Sequence, residues 1–172
     1  MLRLEEANTK YINELENFYK EIIEKDAGDK NQFAGCYGIT KMKLDEWISL
    51  CNIRKDDNFN LYVPSTTYFC LNDKDELVGI IDLRHHINHP ILSTVGGHCG
   101  YSVRPSFRGH GYAKVMLKLL LECAFKRNIN NILITCDDTN IASKKTILAC
   151  GGVLENQIDD NGVLFDRFWI NK

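Results

Sequence analysis

The spacing of apolar residues changes abruptly between Val103 and Ala113, and this change constrains the fold more than any other feature of the chain. Before it lie short β-rich runs: Thr66–Leu71 (TTYFCL), Leu77–Leu83 (LVGIIDL) and His98–Val103 (HCGYSV). After it, Ala113, Met116, Leu117, Leu120 and Ala124 recur at the helical spacing of about 3.6 residues. A strand therefore runs through a turn containing Gly109 and Gly111 directly into a helix. The first two runs are separated by Asn72-Asp73-Lys74-Asp75, a hairpin signal.

Upstream, Ile12, Leu15, Phe18, Tyr19, Ile22 and Ile23 form a helical stripe over residues 11–25. A second helix is expected from Lys43, with Leu44, Trp47, Ile48 and Cys51 on one face, and the glycine-bearing stretch Asp26–Thr40 between them reads as a loop. Downstream, Asn131–Thr135 (NILIT) reads as a buried strand and Asn140 opens a helix that stops at Gly151-Gly152. Val153–Leu154 and Val163–Ile170 close the chain as two strands around Asn161-Gly162. A short first strand at Leu2–Leu4 is the weakest element of the set. The predicted class is α/β (α+β, mixed sheet) in a single domain over residues 1–172, which excludes a helical bundle or a sandwich.

Composition narrows the function classes. With 21 basic and 23 acidic side chains the formal charge is -2, so no basic excess invites a nucleic-acid backbone or an anionic membrane. No apolar run approaches the roughly 20 residues of a membrane span. The seven cysteines are scattered and odd in number, without CxxC spacing, and read as reduced core thiols. The start MLRLEEANTK lacks a signal-peptide pattern, so the expected location is cytoplasmic.

The turn Arg104-Pro-Ser-Phe-Arg-Gly-His-Gly-Tyr-Ala113 carries the chemistry. A helix N-terminus presents unpaired N–H groups and a partial positive charge, glycines let an anion approach the backbone, and Arg108 adds a guanidinium. A phosphate or pyrophosphate is the predicted ligand. A Walker loop is excluded because no Lys-Ser/Thr sequel follows, and a GxGxxG fingerprint fails because position 114 is Lys. The bland reading is that Gly109 and Gly111 only build a tight turn.

These residues make the resemblance specific. Arg108-Gly109-His110-Gly111-Tyr112-Ala113 resembles the R/Q-x-x-G-x-G/A signature of the GNAT superfamily of N-acetyltransferases. GYSVRPSF resembles that family's fourth strand, and Asn140-Ile-Ala-Ser143 through Cys150-Gly151-Gly152 its N-x-x-A/S helix. The stretch Gly96–Ala113 also resembles a branch of predicted bacterial acetyltransferases. The resemblance implies the order β-α-α-β-β-β-α-β-α-β-β, with a mostly antiparallel sheet splayed between strands four and five. It implies acetyl-CoA as cosubstrate, its pyrophosphate on the backbone of Gly109, His110, Gly111, Tyr112 and Ala113, with Arg108 opening the loop. Tyr101, Ser102 and Val103 would pair with the pantetheine arm, a backbone N–H near Val103 would polarise the thioester carbonyl, and Asn140 would bind the cofactor's amides. The implied acceptor is a primary amine of a small molecule or peptide, a homodimer is left open, and no metal is expected.

The chain also departs from the family. The tyrosine that often protonates the departing thiolate is replaced by Ile147, leaving Ser143 as the next candidate. The positions that often hold a base are Cys99 and Gly97. His98 is then a candidate only if a bulge turns it toward the cleft, while His85, His86 and His89 follow the third strand. The spacing of His86 and His89 with His98-Cys99 hints at zinc, but no second ligand pair exists. Asp26, Asp29 and Gln32 are candidates for attracting a cationic amine. Tyr62, Tyr68, Phe69 and Trp169 read as core or cleft walls. The rival function is a non-catalytic acyl-CoA-binding sensor that retains the loop without the chemistry.

Overall fold

A computed structural model describes residues 1–29 and 31–172; position 30 of the Asp26–Thr40 loop lies outside the described residues. The chain runs β1 (Arg3–Glu6), α1 (Ile12–Lys25), α2 (Leu44–Arg54), β2 (Ser65–Leu71), β3 (Leu77–Arg84), β4 (Cys99–Val103), α3 (Tyr112–Lys126), β5 (Asn131–Asp137), α4 (Ile141–Ala149), β6 (Val153–Asp160) and β7 (Val163–Asn171). The predicted order holds, including the weak first strand. Two boundaries move. β1 is shifted to Arg3–Glu6, where it pairs with β2, and β6 extends well past Leu154 to Asp160. The polar run from Glu155 to Asp160 carries no apolar alternation because β6 is an exposed outer strand, held by its pairing with β7.

The strands form two sheets, β1-β2-β3-β4 and β5-β7-β6, and every ladder among the described residues is antiparallel. β2 and β3 are buried on both faces, which explains why their sequences read as continuous apolar runs rather than alternating ones. On one face, Phe69, Leu71, Leu77 and Ile80 pack against Leu15, Phe18 and Ile22 of α1 and Trp47 and Ile48 of α2. On the other, Cys70, Val78, Ile81 and Leu83 meet Met116, Leu117 and Leu120 of α3 together with Ile132, Ile134 and Phe168 of the second sheet. Truncating one of these side chains to alanine removes burial of about 2–5 kcal/mol.

Among the described residues, one backbone hydrogen bond pins the two sheets together. The His98 N–H donates to the Leu133 carbonyl at 2.7 Å, and the imidazole Nδ1 accepts the Leu133 N–H at 2.9 Å. One residue earlier, Gly97 has φ +64°, and a Cβ there would stand 2.6 Å from the Leu133 oxygen. Only glycine lets the backbone come this close in this conformation. Beyond the pin no ladder joins β4 to β5 among the described residues, and the strands part.

Candidate active site

The parting of β4 from β5 opens a cleft of about 590 Å³. Cys99–Val103 line one side and Thr135–Asp137 the other, and α3 and α4 direct their first turns at it. At one end stands the glycine turn. Gly109 (φ +80°) and Gly111 (φ +75°) both occupy the left-handed region, and nothing lies within 4 Å of where their side chains would be. Gly111 caps α3, whose first turn contains no acidic residue. The N–H groups of that turn have no intrahelical partners and the positive end of the helix dipole is not offset, so the turn offers the donors and the potential that an anion would need.

Arg108 departs from its expected place. Its guanidinium makes a two-pronged ion pair with Asp26, at 2.7 and 2.5 Å, and its Nε donates to the Val103 carbonyl at 3.0 Å. The side chain thus ties the α1–α2 loop to the end of β4. Arg108 therefore shapes the turn, its charge engaged by Asp26. A second strap lies beside it: Arg104 bridges Glu14 and Glu21 of α1 at 2.9 and 2.6 Å. Burial raises the Glu21 pKa, but hydrogen bonds from Arg104 and Ser106 outweigh it and hold the carboxyl below its usual range. Neither anchor was legible from local sequence, since each joins residues more than eighty positions apart.

Tyr101, Ser102, Val103, Arg108, Gly109, Gly111, Tyr112, Ala113, Asn140 and Ser143 all line the cleft. His110 does not; it is exposed, stacks on Tyr112 and turns its Nδ1 to the Arg108 carbonyl. Ser102 Oγ donates to the Ala34 carbonyl at 2.8 Å and so fastens the α1–α2 loop across β4. Asn140 caps α4, its Oδ1 accepting the Ser143 N–H at 3.1 Å. Ser143 therefore does not cap the helix with its own hydroxyl. That hydroxyl faces the Tyr101 phenol at 2.8 Å.

His98, the expected base, does not line the cleft. It is buried, its Nδ1 is occupied by Leu133, and burial followed by the nearby Arg84 charge pushes its pKa down to about 4. The bulge needed to present it to the cleft is absent, and strand alternation keeps it away. Gly97, at one family base position, has no room for a side chain; Cys99, at the other, is buried with its thiol pushed up to about 12. His85 bonds Thr66 and Asp57. Tyr62, Tyr68, Phe69 and Trp169 do not line the cleft either, and Gln32 donates to the Ile22 carbonyl, whereas Asp26 and Asp29 do line it. No group of three potential metal ligands occurs among the described residues, and no helix there is long and apolar enough to cross a membrane.

The sequence also gave no sign of the cleft's far end. The connection after His89 and Pro90 closes in a π-turn, Leu92–Gly96. Arg84 holds this turn by donating to the carbonyls of Gly96 and Gly97 at 2.8 and 3.1 Å, and Arg167 donates to Ser93 at 2.7 Å. Val95, Gly96, Arg84, Asp137 and Phe165 thereby join the lining.

A family profile described as an acetyltransferase (GNAT) domain matches residues 31–153. No curated protein sequence matches the chain. Among solved structures, the spermidine N-acetyltransferase of Vibrio cholerae with CoA and spermine is 17% identical, with TM-score 0.67 over 99% of this chain and 95% of that one. RimL, a ribosomal L7/L12 α-N-protein acetyltransferase in complex with CoA, is 17% identical with TM-score 0.72, covering 99% and 93%. An acetyltransferase from Salmonella typhimurium that modifies the N-terminal serine of L7/L12 is 16% identical with TM-score 0.71, covering 99% and 95%.

Proposed function

The chain belongs to the GNAT family of acetyltransferases, and from that premise we propose that it transfers the acetyl group of acetyl-CoA directly to a primary amine of a small molecule or peptide. The observation that carries this reading is the convergence, in one cleft, of a backbone anion site at Gly109–Ala113 with a strand β4 whose outer edge has no ladder partner among the described residues. Acetyl-CoA supplies the acetyl group as a thioester and departs as the thiol.

In this reading the N–H groups of the α3 first turn hold the pyrophosphate, and the β4 edge from Tyr101 to Val103 offers backbone groups to the amides of the pantetheine arm. A backbone N–H near Val103 polarises the thioester carbonyl. Asn140 completes the cofactor wall, and Ser143 donates a hydrogen bond to the departing sulfur. Ile147 is fully buried, so it leaves the cleft to Ser143. No side chain in the cleft is assigned as base; the amine sheds its proton to water. The relatives acting on spermidine and on an N-terminal serine support a primary-amine acceptor. Asp29 beside Asn31 marks the acidic end at which a cationic amine would enter.

Acetyl-CoA turnover with spermidine, related polyamines and peptides bearing a free N-terminus tests the reading. The expected result is amine-dependent thiol release, with one acetylated amine formed per thiol. Tight CoA binding with no release on any amine would favour a sensor instead.

A further inference from the structure

The structure assigns Tyr101 a positioning role in the transfer: its phenol donates to Ser143 Oγ and so turns the serine proton into the cleft, toward the sulfur that departs. The assignment rests on the proposed part of Ser143 and deepens it.

Four observations carry it. Tyr101 sits in the middle of β4 on the side of Cys99 and Val103, so its side chain enters the fork between the sheets rather than the α1–α2 loop. Its hydroxyl lies 2.8 Å from Ser143 Oγ, and both residues line the cleft. The Ser143 backbone is fixed by the Asn140 cap, which leaves the serine hydroxyl with no capping duty. Finally, Ser143 is the hydrogen-bonding partner that the phenol meets, while the thiols of Cys99, Cys136 and Cys150 act on it only through their charge.

Geometry alone permits either hydroxyl to donate. The surroundings decide the direction. Burial pushes the Tyr101 pKa well above the usual phenol range, so the group keeps its proton at every working pH, and the acceptor it meets is the serine oxygen. With Tyr101 donating, Ser143 must direct its own proton elsewhere. In the free protein the Cys136 thiol lies within its reach, so the serine already faces a sulfur across the cleft wall. A thioester sulfur arriving between β4 and β5 takes that place.

The proton balance is simple. The C–N bond forms and the C–S bond breaks, and the electron pair leaves on sulfur. Ser143 stabilises that charge by a hydrogen bond while its proton stays on oxygen. The thiolate takes its proton from water, to which the amine has lost one. Within the transfer step the Tyr101 phenol acts only through Ser143, while its backbone serves the pantetheine arm. It performs, from β4, part of the work that a tyrosine at position 147 would perform from α4.

Single-turnover thiol release, measured with saturating acetyl-CoA and amine, tests this with Tyr101→Phe, Ser143→Ala and the double variant. Phenylalanine preserves the ring packing and removes only the bond. Tyr101→Phe should slow the step about tenfold, the rate equivalent of one buried hydrogen bond. The CoA dissociation constant by calorimetry should change less than about twofold, a split that lost packing would not produce. The double variant should be no slower than Ser143→Ala alone. An unchanged rate in Tyr101→Phe, or effects that multiply in the double variant, would overturn the role of Tyr101 while leaving that of Ser143 standing. An unchanged rate in Ser143→Ala would remove Ser143 itself, and the inference with it. Should Tyr101→Phe fail to fold, 3-fluorotyrosine at position 101 keeps the packing and strengthens the donor. A rate that then rises supports the role, and one that stays constant overturns it.

Discussion

Gly111→Glu will abolish measurable CoA binding while leaving the fold in place. Gly111 has φ +75° at the cap of α3, and nothing stands within 4 Å of a side chain added there. The substitution therefore meets no packed neighbour, and its conformational cost of about 1–2 kcal/mol falls on an exposed turn. The new carboxylate would lie among the N–H groups of the first helical turn, the place assigned to the pyrophosphate. It would both occupy those donors and repel the ligand. An affinity loss of at least about 100-fold is expected, since a few kcal/mol of lost hydrogen bonding and added repulsion multiply in this way. Calorimetry reads the loss, and a circular-dichroism spectrum like that of the unaltered protein shows that the fold survives. Unaltered affinity would place the pyrophosphate elsewhere.

Acid will weaken the protein through His98, by an amount that is a substantial share of a domain's marginal stability. The buried ring has a folded pKa of about 4 against roughly 6.5 unfolded, lowered by burial first and by the Arg84 charge second. Below pH 6.5 the unfolded chain binds a proton that the folded one refuses. The contribution of neutral His98 is therefore complete above pH 6.5 and is lost progressively down to about pH 4, amounting to roughly 3 kcal/mol. Arg84 and His86 are the charged or titratable groups facing the ring, and both oppose its protonation. In His98→Gln the amide oxygen still accepts the Leu133 N–H but cannot titrate. Urea unfolding at pH 7 and pH 4.5 should show a smaller acid loss in this variant than in the parent. Equal losses would mean that His98 is not the titrating pin.

What could be read from the chain beforehand is what neighbours in sequence decide. The period change around Gly111 is local, and so are the hairpin signals and the Asn140 cap; all of them appear where expected. β6 escaped because the pattern of Glu155–Asp160 reports exposure and nothing else, and its strand character comes from β7 across the hairpin. The site divides the same way. The glycine turn was legible because a turn and a helix start are properties of ten residues. The Arg108–Asp26 pair and the Tyr101–Ser143 bond join positions 82 and 42 residues apart, and no spacing rule announces them. His98 shows the reverse case. A histidine beside family base positions looked like chemistry, yet at the junction of two sheets its ring nitrogen stands in for a missing backbone acceptor. The seven free cysteines likewise remain mostly buried packing, although Cys99 and Cys136 reach the cleft wall.

A crystal structure with CoA and an acceptor amine tests the central claim most directly. The account predicts the pyrophosphate on the N–H groups from Gly109 to Ala113, the pantetheine arm along the outer edge of β4, and the sulfur within hydrogen-bonding reach of Ser143 Oγ. CoA lying outside the β4–β5 fork, or a sulfur distant from Ser143, would contradict it.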